Sequence, residues 1–374
     1  MRRAAPLALL ALVLAACGGG AAATADAPPT TAAAPTVAEP TPATTAAAPA
    51  TTEAAPPPLP KRLGPGEPVT FAFGGDVIFE EPIRSYLDDP AQVLAPMRRA
   101  LRPADIAMVN LETPVSDRGT PIAGKEYVFR APPAAFDALR RGGVDVVTVA
   151  NNHGMDYGPD AMRDTLRYAR RAGVPVVGAG LDEAQAFRPW RTEVRGQRIA
   201  VFGATQVIDE ELLPVWEARG ARVGVASAKY DMEDRLVRAV RQARGTSDTV
   251  VVYLHWGEEL KACPLDRQVS LAERLVRAGA DIVVGSHAHI LLGGGMLGRA
   301  FVDYGLGNFV FYQDGGVVSQ TGVVQVTATG RRIDGYRFVP AQISGALPRP
   351  VTGAERAARI SAWDALRDCT GLDR

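Results

Sequence analysis

The sequence predicts an α/β protein with a largely parallel sheet, and three observations point there. Short apolar runs such as Gly143-Val-Asp-Val-Val147 and Thr249-Val-Val-Val-Tyr-Leu-His255 have the length and valine content of buried parallel strands. Amphipathic stretches of helical length alternate with them. The polar, chemistry-bearing residues gather just past the carboxyl ends of the runs, where open α/β sheets place their ligand sites. All four histidines of the chain, His153, His255, His287 and His289, fall at such ends.

The 374 residues divide by composition. Residues 1–17 read as a secretory signal: Arg2 and Arg3, then an almost wholly apolar stretch too short for a comfortable membrane span. Leu14-Ala-Ala-Cys17-Gly18 resembles a bacterial lipobox, with Cys17 lipidated and the protein anchored to the membrane outside the cytoplasm. Residues 18–62, nearly all Ala, Pro and Thr, cannot bury a core and read as a disordered tether. The remaining ~310 residues suit one large α/β domain, here 63–345, with a helical tail over 346–374 packed on it. Lys plus Arg equals Asp plus Glu at 41 each, which argues against a nucleic-acid partner. Cys263 and Cys369 are either a disulfide tying the tail to the body, as an oxidising compartment favours, or two buried thiols.

In chain order, Pro68–Asp76 is a strand ending in a glycine turn and a carboxylate. Ala91–Leu101 is a helix, and Ala104–Glu112 a strand ending in Asn110 and Glu112. A carboxylate at the end of an apolar strand is unusual unless paired or bound to metal. Residues 116–133 form an excursion in which Lys125 and Arg130 are either an anion clamp or routine surface charges. Pro133–Arg141 is a helix. Val144–Val149 is a strand delivering Asn151, Asn152 and His153, followed by a helix over Asp160–Ala172. Strands are expected at 174–180 and 197–204, irregular chain over 205–229, and a helix over Asp231–Ala243. A strand over 249–257 delivers His255. After a helix over Leu265–Ala278, a strand over 281–289 delivers His287 and His289. Runs at 301–308 and 322–327 are expected in a second sheet, with one more strand near 336–340 and a terminal helix over Ala354–Arg367. No P-loop or G-x-G-x-x-G motif occurs.

A lone buried histidine is most often a core residue. Four at strand ends, with Asp76, Glu112 and Asn152 at further strand ends, indicate a shared site. Imidazole, carboxylate and amide donors suit zinc, manganese or iron, and their number suffices for two divalent ions bridged by Glu112.

The series Gly74-Gly-Asp76, Asn110-Leu-Glu112, Ala150-Asn-Asn-His153, His255-Trp-Gly257, Gly285-Ser-His-Ala-His289 and Tyr304-Gly-Leu-Gly-Asn-Phe309 resembles the CapA family of capsule and poly-γ-glutamate synthesis proteins, relatives of the calcineurin-like metallophosphatases. The resemblance implies a four-layer α/β-β/α sandwich of metallophosphatase type. It implies one ion on Asp76, Glu112 and His289 and another on Glu112, Asn152, His255 and His287. His153 is left to contact substrate or protonate a leaving group, and Asn151 and Asn308 to contact substrate. One departure is evident: the metallophosphatase Asp-x-His opening is Asp76-Val-Ile78 here, so one ion lacks a ligand. Two functions follow. One is a metal-dependent hydrolase acting on a phosphorylated envelope substrate or a polymer amide. The other is a non-catalytic factor holding an anionic polymer beside a synthase or export complex.

Overall fold

The computed structural model describes residues 66–374, so the signal, Cys17 and the whole tether lie outside the described residues. Two sheets face each other. In the first, the parallel strands Val69–Val77, Ile106–Leu111, Val146–Thr148 and Val176–Val177 lie side by side. On the other flank of Val69–Val77 follow three antiparallel strands, Gln320–Thr329, Arg332–Ser344 and Leu347–Pro350. In the second sheet the parallel strands Gln197–Thr205, Thr249–His255, Ile282–Ser286 and Ala300–Asp303 are flanked by antiparallel Trp190–Val194 and Gly294–Leu297.

Strand alternation assigns every layer. Phe71, Phe73, Ile106 and Met108 of the first sheet meet Ile199, Val201, Val251, Tyr253, Ile282 and Val284 of the second in one buried cluster. The alternate residues Ala72, Ala107, Val109 and Val147 point outward onto the layer that includes Ala134–Gly142 and Gly158–Ala172. Ala200, Phe202, Val250, Val252 and Val283 point outward onto Asp231–Arg244 and Asp266–Ala278. The result is the four-layer α/β-β/α sandwich expected. Each central strand is covered on both faces, which is why it reads as a continuous apolar run.

Several expectations are corrected. The run at 322–327 belongs to the first sheet, with Val324 opposite Phe73, while 300–303 lies in the second and Asn308–Val310 returns to pair with Val69–Val77. Alternation reports which faces are buried, not which strand is the neighbour. The helix expected over Ala91–Leu101 is a 3-10 turn, Ala95–Met97, and a single α-turn, Arg98–Leu101, because Pro96 has no N–H to continue a longer helix. Gly178, at φ 77°, splits the 174–180 run into Val176–Val177 and Ala179–Gly180. The terminal helix Gly353–Ala365 packs Trp363 flat on Phe338, and Cys369 beyond it is disulfide-bonded to Cys263.

Candidate metal centre

The strand carboxyl ends of both sheets converge at one place. Gly75 lets Val69–Val77 reach it: a Cβ there would sit 1.8 Å from the Gly307 carbonyl oxygen, so no side chain fits. Asp76 follows, fully buried, its Oδ1 accepting from Asn110 Nδ2 at 2.8 Å and its Oδ2 from the His287 N–H at 3.1 Å. Asn110 also lies 3.1 Å from His255 Nδ1 and so joins the two sheets across the site. His287 and His289 occupy a turn beyond Ile282–Ser286 at φ 104° and 56°. Positive φ is rare for residues with a Cβ and costs ~1–3 kcal/mol, a strain that gathers at functional sites.

Two overlapping donor groups result. Asp76, Glu112 and His255 offer atoms within 4.8 Å of one another, and so do Glu112, His287 and His289. Glu112 belongs to both, as a bridging carboxylate must. The partition differs from the one the resemblance implies, because His287 groups with His289 rather than with His255. Asn152 Oδ1 lies 2.7 Å from His255 Nε2, and Glu112 Oε1 lies 3.3 Å from that same nitrogen, so Asn152 stands with the first group.

The electrostatics are those of a site built for cations. Both Glu112 carboxylate oxygens and His287 Nδ1 are buried with no hydrogen-bond partner. Burial, reinforced by Asp76, pushes the Glu112 carboxyl well above its ordinary range. Burial likewise holds the His287 imidazole well below its usual value and His255 down to about 4. At His289 burial acts downward too, but Glu112 and Asp76 outweigh it and the net shift is upward. An unpaired buried carboxylate is strongly unfavourable, and neutral imidazoles are the form that ligates metal. These donors therefore fit a divalent ion.

His153 stands beside this centre, stacked on Phe129 at 3.9 Å. Its Nδ1 lies 2.6 Å from Asp156 Oδ2, and burial lowers its pKa to about 4. Asp156, fully buried, is the residue that sequence reasoning missed. The signal was present as His153-Gly-Met-Asp156, a carboxylate three residues on in a tight turn.

Four expected substrate contacts are engaged elsewhere. Asn151 is buried, its amide donating to Asn110 Oδ1 and the Leu111 carbonyl while its oxygen accepts from the His153 N–H, so it shapes the loop. Asn308 Oδ1 accepts from His289 Nδ1 at 2.8 Å and its amide donates to the Val318 carbonyl, so it orients a ligand. Lys125 is bound to Asp156 Oδ1 at 2.5 Å and to the Asn152 carbonyl, and faces His153 Nδ1 at 3.1 Å. The Arg130 guanidinium lies over the Tyr157 ring, 4.4 Å from its centroid. Lys125 is charge-paired with Asp156, whereas the Tyr157 ring beneath Arg130 neutralises none of its charge.

Fold and site together define a two-sheet sandwich with a histidine–carboxylate centre at its strand ends. The chain belongs to the bacterial capsule synthesis protein PGA_cap family, whose pattern it matches over residues 70–313. It is 30% identical over 296 residues to the capsule biosynthesis protein CapA of Bacillus anthracis, covering 77% of this chain and 71% of that one. It is 31% identical over 287 residues to the PGA biosynthesis protein CapA of Bacillus subtilis (strain 168), covering 76% and 70%. Among solved structures, a hypothetical protein from Thermus thermophilus aligns at TM-score 0.46 and 16% identity, over 74% of this chain and all of that one.

Proposed function

We propose that the protein acts in the synthesis or export of a capsule or poly-γ-glutamate polymer, through a metal-dependent hydrolase-like site, while anchored outside the cytoplasm by lipid on Cys17. The pathway follows from the family and from the names of the two Bacillus relatives. The observation that carries the metal-dependent site is the buried Glu112, whose two oxygens lack partners between His255, His287 and His289. Asp76, Glu112, Asn152, His255, His287 and His289 would hold one or two ions of manganese, zinc or iron. Such ions supply Lewis-acid stabilisation of the charge that develops on a phosphoryl or carbonyl oxygen.

The chain's own groups have definable tasks. Asp156 holds the proton of His153 on Nδ1, leaving Nε2 bare to accept a proton from a nucleophile. Burial opposes the charged ring, which disfavours the acid role that the resemblance implies. Phe129 and the Lys125–Asp156 pair keep the imidazole in place.

The polymer-holding alternative keeps Arg130 as a candidate anion contact, whereas the charge of Lys125 is met by Asp156. The test is the metal content of the purified full chain, together with hydrolysis of a generic phosphomonoester and phosphodiester with added manganese. Turnover lost in His287→Ala and in metal-stripped protein supports the reading. Full turnover after metal stripping refutes it, and bound ions without turnover move the assignment to polymer holding.

A further inference from the structure

The loop from Gly257 to Cys263 leaves the strand Thr249–His255 and passes over the metal centre. It is pinned at three points. The Arg267 guanidinium donates to the Gly257 carbonyl at 2.8 Å. The Leu260 N–H donates at 2.9 Å to the carbonyl of Ala288, the residue between His287 and His289. Cys263 is joined to Cys369 in the C-terminal segment. Leu260 takes a positive φ of 59° to make this turn. Together these anchors hold Glu259 beside His289.

Glu259 Oε1 lies 4.0 Å from His289 Nε2. Its neighbour Glu258 pairs with Lys261 at 3.4 Å, whereas among the described residues the ion-pair partner of Glu259 is the His289 ring. His289 Nδ1 is held by Asn308 Oδ1, so the nitrogen facing Glu259 is the one free to ligate. Two donors of one tetrahedral ion, each ~2.0–2.2 Å from it, lie ~3.3–3.6 Å apart, so from 4.0 Å the carboxylate has roughly half an ångström to close. The carboxylate is 61% exposed, which gives it room to turn closer. The group it would join, Glu112, His287 and His289, has three side chains, and Glu112 and His287 carry unpartnered buried atoms. Tetrahedral ions have room for a fourth donor.

We propose that Glu259 is a further metal ligand, completing the ion held by Glu112, His287 and His289 from a loop that the Cys263–Cys369 disulfide steadies. The inference rests on the metal-centre reading above. It concerns one ion of the centre, leaving the Asp76, Asn152 and His255 side untouched.

The test is competition between the full chain and a calibrated chelator for Mn²⁺ and Zn²⁺, with stoichiometry by elemental analysis. In Glu259→Gln one ion should bind at least ~10-fold more weakly or be lost, while the other keeps its affinity. Glu259→Asp should fall between, and Glu258→Gln should match the unaltered protein. A melting curve of each variant verifies folding, which an exposed glutamate does not govern. Cys263→Ser with Cys369→Ser should weaken the same ion. Unchanged affinity for every ion in Glu259→Gln overturns the proposal. An unaltered protein that takes up no ion overturns the metal-centre reading with it, so the two failures are distinct.

Discussion

The two ends of the parallel strands treat carboxylates in opposite ways. At the amino ends, Asp105, Asp145, Asp248 and Asp281 each precede a strand and accept the N–H of Thr70, Ala107, Arg198 and Val250 on the adjoining strand. The most buried of them, Asp281, also lies 2.6 Å from the Arg244 guanidinium and 3.3 Å from that of Arg331. At the carboxyl ends Glu112 is just as buried, yet neither of its oxygens has a hydrogen-bond partner. The fold thus satisfies its carboxylates where they serve structure and leaves one unsatisfied where histidines converge. What Glu112 lacks is a hydrogen-bonded cation: His289 and Lys125 act on its charge without bonding either oxygen.

The contrast can be broken by substitution at either end. The largest effect is expected at Asp281→Ala, which strands two arginines and should destabilise by about 3–5 kcal/mol, measured by urea unfolding. A loss below about 1 kcal/mol would mean that the amino-end pairs are incidental. Glu112→Gln should behave in the opposite sense, leaving metal-free stability unchanged or higher because a neutral amide is easier to bury.

Asp303 is an intermediate case that sharpens the point: buried, with Oδ1 accepting from the Gly305 N–H and Oδ2 unpartnered, but with no histidine cluster around it. Burial raises its pKa to about 7. The folded state therefore holds a proton that the unfolded chain releases near 3.9. Stability contributed by the protonated form is complete at low pH and falls as pH rises from about 4 to 7, by at most ~4 kcal/mol. Asp303→Asn should abolish that slope in a pH series of unfolding curves, and an unchanged slope would assign it to another group.

Ion binding comes next. Manganese at a hundred times its Kd should stabilise the protein by ~2.7 kcal/mol. Chelator should remove the gain, and Glu112→Gln should lack it. An equal gain in the variant would show that the ion binds elsewhere. The smallest expected effect is Asn308→Ala, which frees the His289 ring and should weaken ion affinity by about 10-fold. Affinity unchanged in a chelator competition would return Asn308 to the substrate role implied by the motif series.

Much of this site was legible in the sequence because strand ends are legible. Apolar runs locate the sheet, and the residues that follow each run, Asp76, Glu112, Asn152, His255, His287 and His289, must emerge on one side of it. Partners across long separations were not. Asn110 reaches His255 over 145 positions, and the His287 N–H reaches Asp76 over 211. Nothing in the local sequence around Lys125 says that Asp156 would take its charge, and nothing around Asn308 says that it would face His289.

The sequence by itself determined which faces of the strands are buried, the end of the sheet that bears the chemistry and the donor types gathered there. These follow from spacing of two along a strand and from where polar residues interrupt it. Only the tertiary structure decided which histidines share an ion-sized space, which cations were already paired, and that Glu259 overhangs the centre. Those outcomes depend on how two sheets stack and how a disulfide-tied loop crosses them, contacts between residues whose order along the chain carries no record of their distance in space.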